Sequence, residues 1–166
     1  MRFANMPVAV LATMLFSITP ALAQDTCGVK STLTKTAKGG RFVYNVSCGD
    51  GESDTIFVCT KGGKTIAATL PVAPFDAKAG ARFQTKFTIG GKKLVKTLTV
   101  ASPAKAGGSV SAAGATIVLN ESGQLWRALA KVDNLIDVEN KSYTTSIGIA
   151  SSEAATFGKF KRACGL

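Results

Sequence analysis

Four cysteines, Cys27, Cys48, Cys59 and Cys164, bracket most of this chain, and no histidine accompanies them anywhere in its 166 residues. A zinc site wants closely spaced thiolates of the C-x2-C kind or imidazole partners. Even the nearest two, Cys48 and Cys59, are spaced too widely for that. An even set of cysteines in an oxidising compartment reads as disulfides, here two of them.

The N-terminus supplies the compartment. "MRFANMPVAVLATMLFSITPALAQ" has a positive charge at Arg2, an apolar run from Val8 to Ile18, and Ala21-Leu22-Ala23 before Gln24. A charged start, an apolar stretch and a small-x-small cleavage site describe a secretory signal peptide. The apolar run is shorter than the ~20 residues of a membrane span. Cys27 stands too far past the cut to carry a lipid as first mature residue. The expectation is a signal peptide over 1–23 and a single exported domain over 24–166, periplasmic or secreted, with no transmembrane segment after cleavage.

Beyond Cys27 the pattern is that of strands. "RFVYNVSC" alternates, with Phe42, Tyr44 and Val46 on one face, and "DTIFVCT" follows after the turn "GDGES". "CGVKSTLTKTA" precedes the first of these through the turn "AKGG", a register that brings Cys27 close to Cys48. A Cys48–Cys59 bridge would join one residue at a turn to another far from it. The preferred pairing is therefore Cys27–Cys48 with Cys59–Cys164; the sequence leaves the other two connectivities open. Phe157, Phe160 and Cys164 recur at helical spacing, so the last helix presents one apolar stripe inward. Ser151 or Ser152 is expected to cap it. A bridge from Cys164 would hold a helix too short to be stable alone.

The hairpin "ARFQTKFTIGGKKLVKTLTV" turns at Gly90-Gly91, which predicts Ile89 opposite Lys92, Phe87 opposite Leu94 and Phe83 opposite Leu98. One face then holds the Phe–Leu pairs, and the other Arg82, Gln84, Lys86, Lys93, Val95 and Thr97; Lys96 falls on the apolar face opposite Thr85. Residues 102–114 are small and read as a flexible loop. "ESGQLWRALAKVDN" places Leu125, Leu129 and Val132 on one helix face, and "LIDVENKSYTTSIGIA" supplies two strands. The fold class is α+β: a β-rich antiparallel sheet or sandwich with two short helices in the C-terminal third, stapled by two disulfides.

Few motifs carry chemistry. Without histidine, Ser–His and Cys–His catalysis are both excluded. Asp50, Glu52 and Asp54 cluster in one turn, where acidic residues serve as turn formers. Ser102-Pro103-Ala104-Lys105 fits S-x-x-K, but that nucleophile motif needs a helix start, and Ala-Gly-Gly-Ser follows the lysine. The three N-x-S triplets, at Asn45, Asn120 and Asn140, are read as incidental. No catalytic residue, cofactor or metal ligand is assigned.

Charge is the feature with functional content: 20 Lys+Arg stand against 10 Asp+Glu. Arg82, Lys86, Lys92 and Lys93 group on the hairpin, and Lys159, Lys161 and Arg162 near the C-terminus. They are expected either to solubilise the protein or to contact a polyanion such as lipopolysaccharide, anionic lipid or glycan. Nucleic acid is not expected, since no recognition motif is present.

The stretch "LWRALAKVDNLIDVENKSYTTSIGIASSEAATFGKFKRAC", a helix, strand, polar turn, strand and short final helix, resembles the end of proteins of the invasion-associated locus B family. The resemblance implies an alphaproteobacterial envelope protein without known catalysis, linked to contact with host cells; it transfers no functional residue. Together these readings predict a non-enzymatic exported binding protein of the cell envelope. The alternative is an inhibitor or accessory subunit of an envelope enzyme.

Overall fold

The first half of the chain is a meander. Strand β1 (Gly28–Thr36) pairs antiparallel with β2 (Gly39–Cys48), β2 with β3 (Gly51–Thr60), and β3 with β4 (Thr65–Leu70). Alternation sets the faces: Phe42 and Tyr44 on β2, Phe57 and Cys59 on β3, and Ile66, Ala68 and Leu70 on β4 are buried, while Arg41, Val58 and Ala67 look outward. The computed structural model describes residues 27–48, 51–102, 110–111 and 114–166. The signal peptide expected over 1–23 lies outside the described residues.

The second half adds β5 (Arg82–Ile89), β6 (Lys92–Ser102), β7 (Val110–Ser111), β8 (Gly114–Asn120), β9 (Ile136–Glu139) and β10 (Thr144–Ile147). The strand order is β1-β2-β3-β4-β8-β6-β5-β9-β10, one curled antiparallel sheet. Strand β7 stands off this path and pairs parallel to the start of β3. The flexible loop expected over 102–114 is thus interrupted by paired backbone at Val110–Ser111; residues 103–109 and 112–113 lie outside the described residues.

Two helices fill the concave side. Helix α1 (Gln124–Leu129) buries Leu125, Trp126, Ala128 and Leu129. It ends sooner than its periodicity predicts, and Val132 lies beyond it, because the chain turns at Asp133 in the left-handed region (φ 55°) toward β9. Helix α2 (Ala154–Cys164) buries Phe157, Phe160 and Cys164, the stripe read from the sequence. No serine caps it: a 3-10 turn over Ser151–Glu153 leads in, with no side-chain cap bond on either segment. Glu153 instead accepts a hydrogen bond from the Ser31 hydroxyl, and the Ala150 N–H donates to Tyr44 Oη at 3.3 Å. These bonds close the C-terminal segment over β1 and β2.

The core is aromatic at its centre. Phe157 lies 5.0 Å from Phe42, 5.9 Å from Phe57 and 6.2 Å from Trp126 between ring centroids. Gly39 takes φ 151°, and a Cβ there would sit 2.1 Å from the Cys59 carbonyl oxygen, so only glycine fits under the β3 backbone.

Candidate functional site

Both disulfides form as preferred from the sequence, Cys27–Cys48 and Cys59–Cys164. The first ties the exposed N-terminal edge of the sheet. The second is buried and anchors α2 to β3.

The β5–β6 register is also the expected one, Ile89 opposite Lys92 through Phe83 opposite Leu98. Arg82, Lys86 and Lys93 therefore share the convex face. Sequence reasoning missed what lies beside them. Strand β9 pairs with β5 so that Glu139 is opposite Lys86 and Asp137 opposite Thr88. Lys86 Nζ contacts Glu139 Oε1 at 2.9 Å, and this hydrogen bond and charge hold the Glu139 carboxyl below its usual pKa. The hairpin face is consequently a mixed-charge surface.

A more concentrated basic region forms at one end of the sheet. Strands β1, β3, β8 and β5 run one way and β2, β4, β6 and β9 the other, so the β1–β2, β3–β4 and β5–β6 turns all open at the same end. Lys61 N–H donates to the Lys38 carbonyl at 2.8 Å, joining the first two of these turns. Gly62 N–H donates to the Cys164 carbonyl at 3.1 Å, bringing in the last turn of α2. Glu121 N–H reaches the Lys64 carbonyl at 2.8 Å and adds the β8–α1 turn.

This rim carries Lys35 at the end of β1, Lys38, Lys61 and Lys64 on two turns, Lys92 and Lys93 at the hairpin tip, and Arg162 on α2, all exposed. None of them is in a side-chain ion pair among the described residues. Lys161, in the same last turn, lies over the Phe157 ring at 5.3 Å. Glu52 and Asp54 lie at the opposite end of β3, where Asp54 accepts from Asn45 at 3.0 Å. Of the residues singled out from the sequence, Lys92, Lys93, Lys161 and Arg162 come to this end. Arg82 begins β5 at the other end, Lys86 is mid-strand in its ion pair, and Lys159 sits a turn earlier on α2. Lys35 and three turn lysines were missed, because nothing in the linear sequence joins residue 38 to residue 61.

The same end is also where the sheet divides. Strands β6 and β8 pair only from Thr99–Thr116 to Ser102–Gly114. From Thr97 toward Lys92 the two strands separate, and the gap is lined on the concave side by Leu94, Lys96, Ile117, Leu119 and the start of α1, a volume of about 210 Å³. On the convex side Thr97, Thr99, Thr116 and Val118 border a shallower volume of about 380 Å³. Beyond it, Val118, Ala67 and Val58 form one cross-strand row, with Val118 71% and Val58 41% exposed.

Among the described residues, no group of Asp, Glu and Cys is arranged to hold a metal ion, and no helix is long and apolar enough to cross a membrane. The chain matches no known protein family, and no curated protein or solved structure is similar to it.

Proposed function

We propose that the protein is a non-enzymatic, exported binding protein of the cell envelope that engages an anionic surface through its basic rim. The carrying observation is the convergence of lysines from three separate turns, together with the end of α2, at one end of the sheet. Cations grouped this way attract a polyanion by summed field, each one contributing modestly. Lipopolysaccharide, anionic lipid and anionic glycan share the required chemistry. The resemblance of the C-terminal third to invasion-associated locus B proteins is in keeping with an envelope role at host contact.

The test is equilibrium binding of the oxidised protein to heparin, lipopolysaccharide and anionic vesicles across a salt series. Binding is expected to persist at about 0.15 M salt, where exposed charges more than about 8 Å apart are largely screened. It should fall in Lys61→Glu and hold in Arg82→Glu, which makes the same change in net charge. Equal losses in the two variants, or no binding beyond a control protein of equal charge, would refute the assignment.

An inhibitor or accessory subunit of an envelope enzyme is the second reading. The uncharged row of Val58, Ala67 and Val118 favours it, because exposed contiguous apolar surface marks protein contacts.

A further inference from the structure

We infer that the gap between β6 and β8 is a binding site for a single-chain anionic amphiphile of the fatty-acid class, its chain in the gap and its carboxylate at Lys96. This deepens the reading above by naming the ligand class, and it rests on different residues.

The floor of the gap is apolar. Leu94, Ile117, Leu119, Leu125 and Trp126 form it, Asn120 and Gln124 stand at its α1 end, and Lys96 is the charged side chain among the lining residues. Its volume of about 210 Å³ corresponds to about seven water molecules at ~30 Å³ each, the scale of one alkyl chain and far less than a folded partner needs.

Lys96 is out of place as a core residue: it shares the inward parity of Leu94 and Leu98 yet remains exposed and makes no salt bridge among the described residues. Opposite it on β5 stands Thr85, wholly buried, whose Oγ1 has no hydrogen-bond partner among the described residues. Cross-strand neighbours hold their Cβ atoms ~5 Å apart, so Thr85 lies under the stem of Lys96 but outside the lining of the gap, and Lys96 is the cation at its margin. Apolar walls with a few convergent polar groups are the general form of a small-ligand site. A strand from another chain is the competing occupant of an open sheet edge. Lys92, Lys93 and Lys96 all line this open stretch of β6, and lysines along an edge oppose strand addition.

Trp126, the single tryptophan of the chain, borders the gap and reports on it directly. The experiment titrates the oxidised full-length mature protein with monomeric decanoate and dodecanoate, following Trp126 emission, and repeats this with phosphatidylglycerol vesicles and with heparin. The expected result is a saturable change with the free acids, tightening about fourfold for each added buried methylene. Lys96→Glu is expected to weaken dodecanoate at least about tenfold, since a hydrogen bond to a charged group is lost. Lys159→Glu, the same charge change on α2, should leave it unaltered.

Response to vesicles without a saturable response to free acid would overturn the single-chain assignment. Heparin binding without any saturable response to dodecanoate would overturn the gap as a site while leaving the basic rim intact. Equal weakening in the two variants would overturn it too, by reducing the effect to net charge.

Discussion

Removing the buried disulfide tests the architecture at its longest closure. The Cys59–Cys164 bridge spans a sequence separation of 105, against 21 for Cys27–Cys48. Chain entropy then assigns the long closure about 4.7 kcal/mol and the short one about 3.3 kcal/mol. Burial widens the gap, since Cys59 and Cys164 are 7% and 1% exposed and their replacement by alanine also removes core packing. Against a typical domain stability of roughly 5 to 15 kcal/mol, Cys59→Ala/Cys164→Ala removes a large share. The assay is urea unfolding of both double variants and of the oxidised parent, followed by Trp126 fluorescence. Partial reduction with alkylation and mass spectrometry gives an independent readout. The exposed Cys27–Cys48 bridge should open first and the buried one only on unfolding. A Cys27→Ala/Cys48→Ala variant destabilised as much as the other, or reduction in the opposite order, would refute the reasoning.

Phe157→Ala deletes the ring shared by Phe42, Phe57 and Trp126 and should cost about 3 to 5 kcal/mol in denaturant unfolding, whereas Phe75→Ala, at 59% exposure, should cost under about 1 kcal/mol. Gly39→Ala should destabilise by about 3 kcal/mol or more, because its Cβ meets the Cys59 carbonyl, while Gly91→Ala meets nothing within 4 Å and bears only the left-handed penalty of about 1 kcal/mol. Burial raises the Tyr143 hydroxyl above its ordinary pKa of 10.0. The folded state therefore holds that proton more tightly, and its stabilising contribution is whole below pH 10 and is lost as pH rises through the folded value. Alkaline unfolding should set in later in Tyr143→Phe once its neutral-pH stability is subtracted, and identical profiles would exclude the effect.

Local chemistry made much of this fold legible. The Gly90-Gly91 turn and the alternation of Phe83, Thr85 and Phe87 determine the β5–β6 register, because a slip of one residue would expose the phenylalanines. The Cys27–Cys48 pairing followed from counting residues either side of a short turn. What was illegible is non-local. Strand β8 enters between β4 and β6, and β9 adds to β5, placing Glu139 beside Lys86; no pattern near either residue announces this. The basic rim has the same origin, being assembled from turns that are neighbours only once three strands have paired. The missing serine cap was a local misreading: Ser151 and Ser152 lie in a 3-10 turn that leads into α2, and Glu153 beside them accepts from Ser31.

The closing of α2 over β1 and β2 has a consequence for the order in which this chain becomes a protein. Phe42 and Phe57 are made with β2 and β3, but Phe157 and Phe160, the rings that shield them, belong to α2, far downstream. Until those residues emerge, the first sheet has its apolar face bare and Cys59 has no thiol to join. Until α2 has been made the chain can complete only its native short bridge, so the fold closes as a two-stage latch whose second stage waits for that helix.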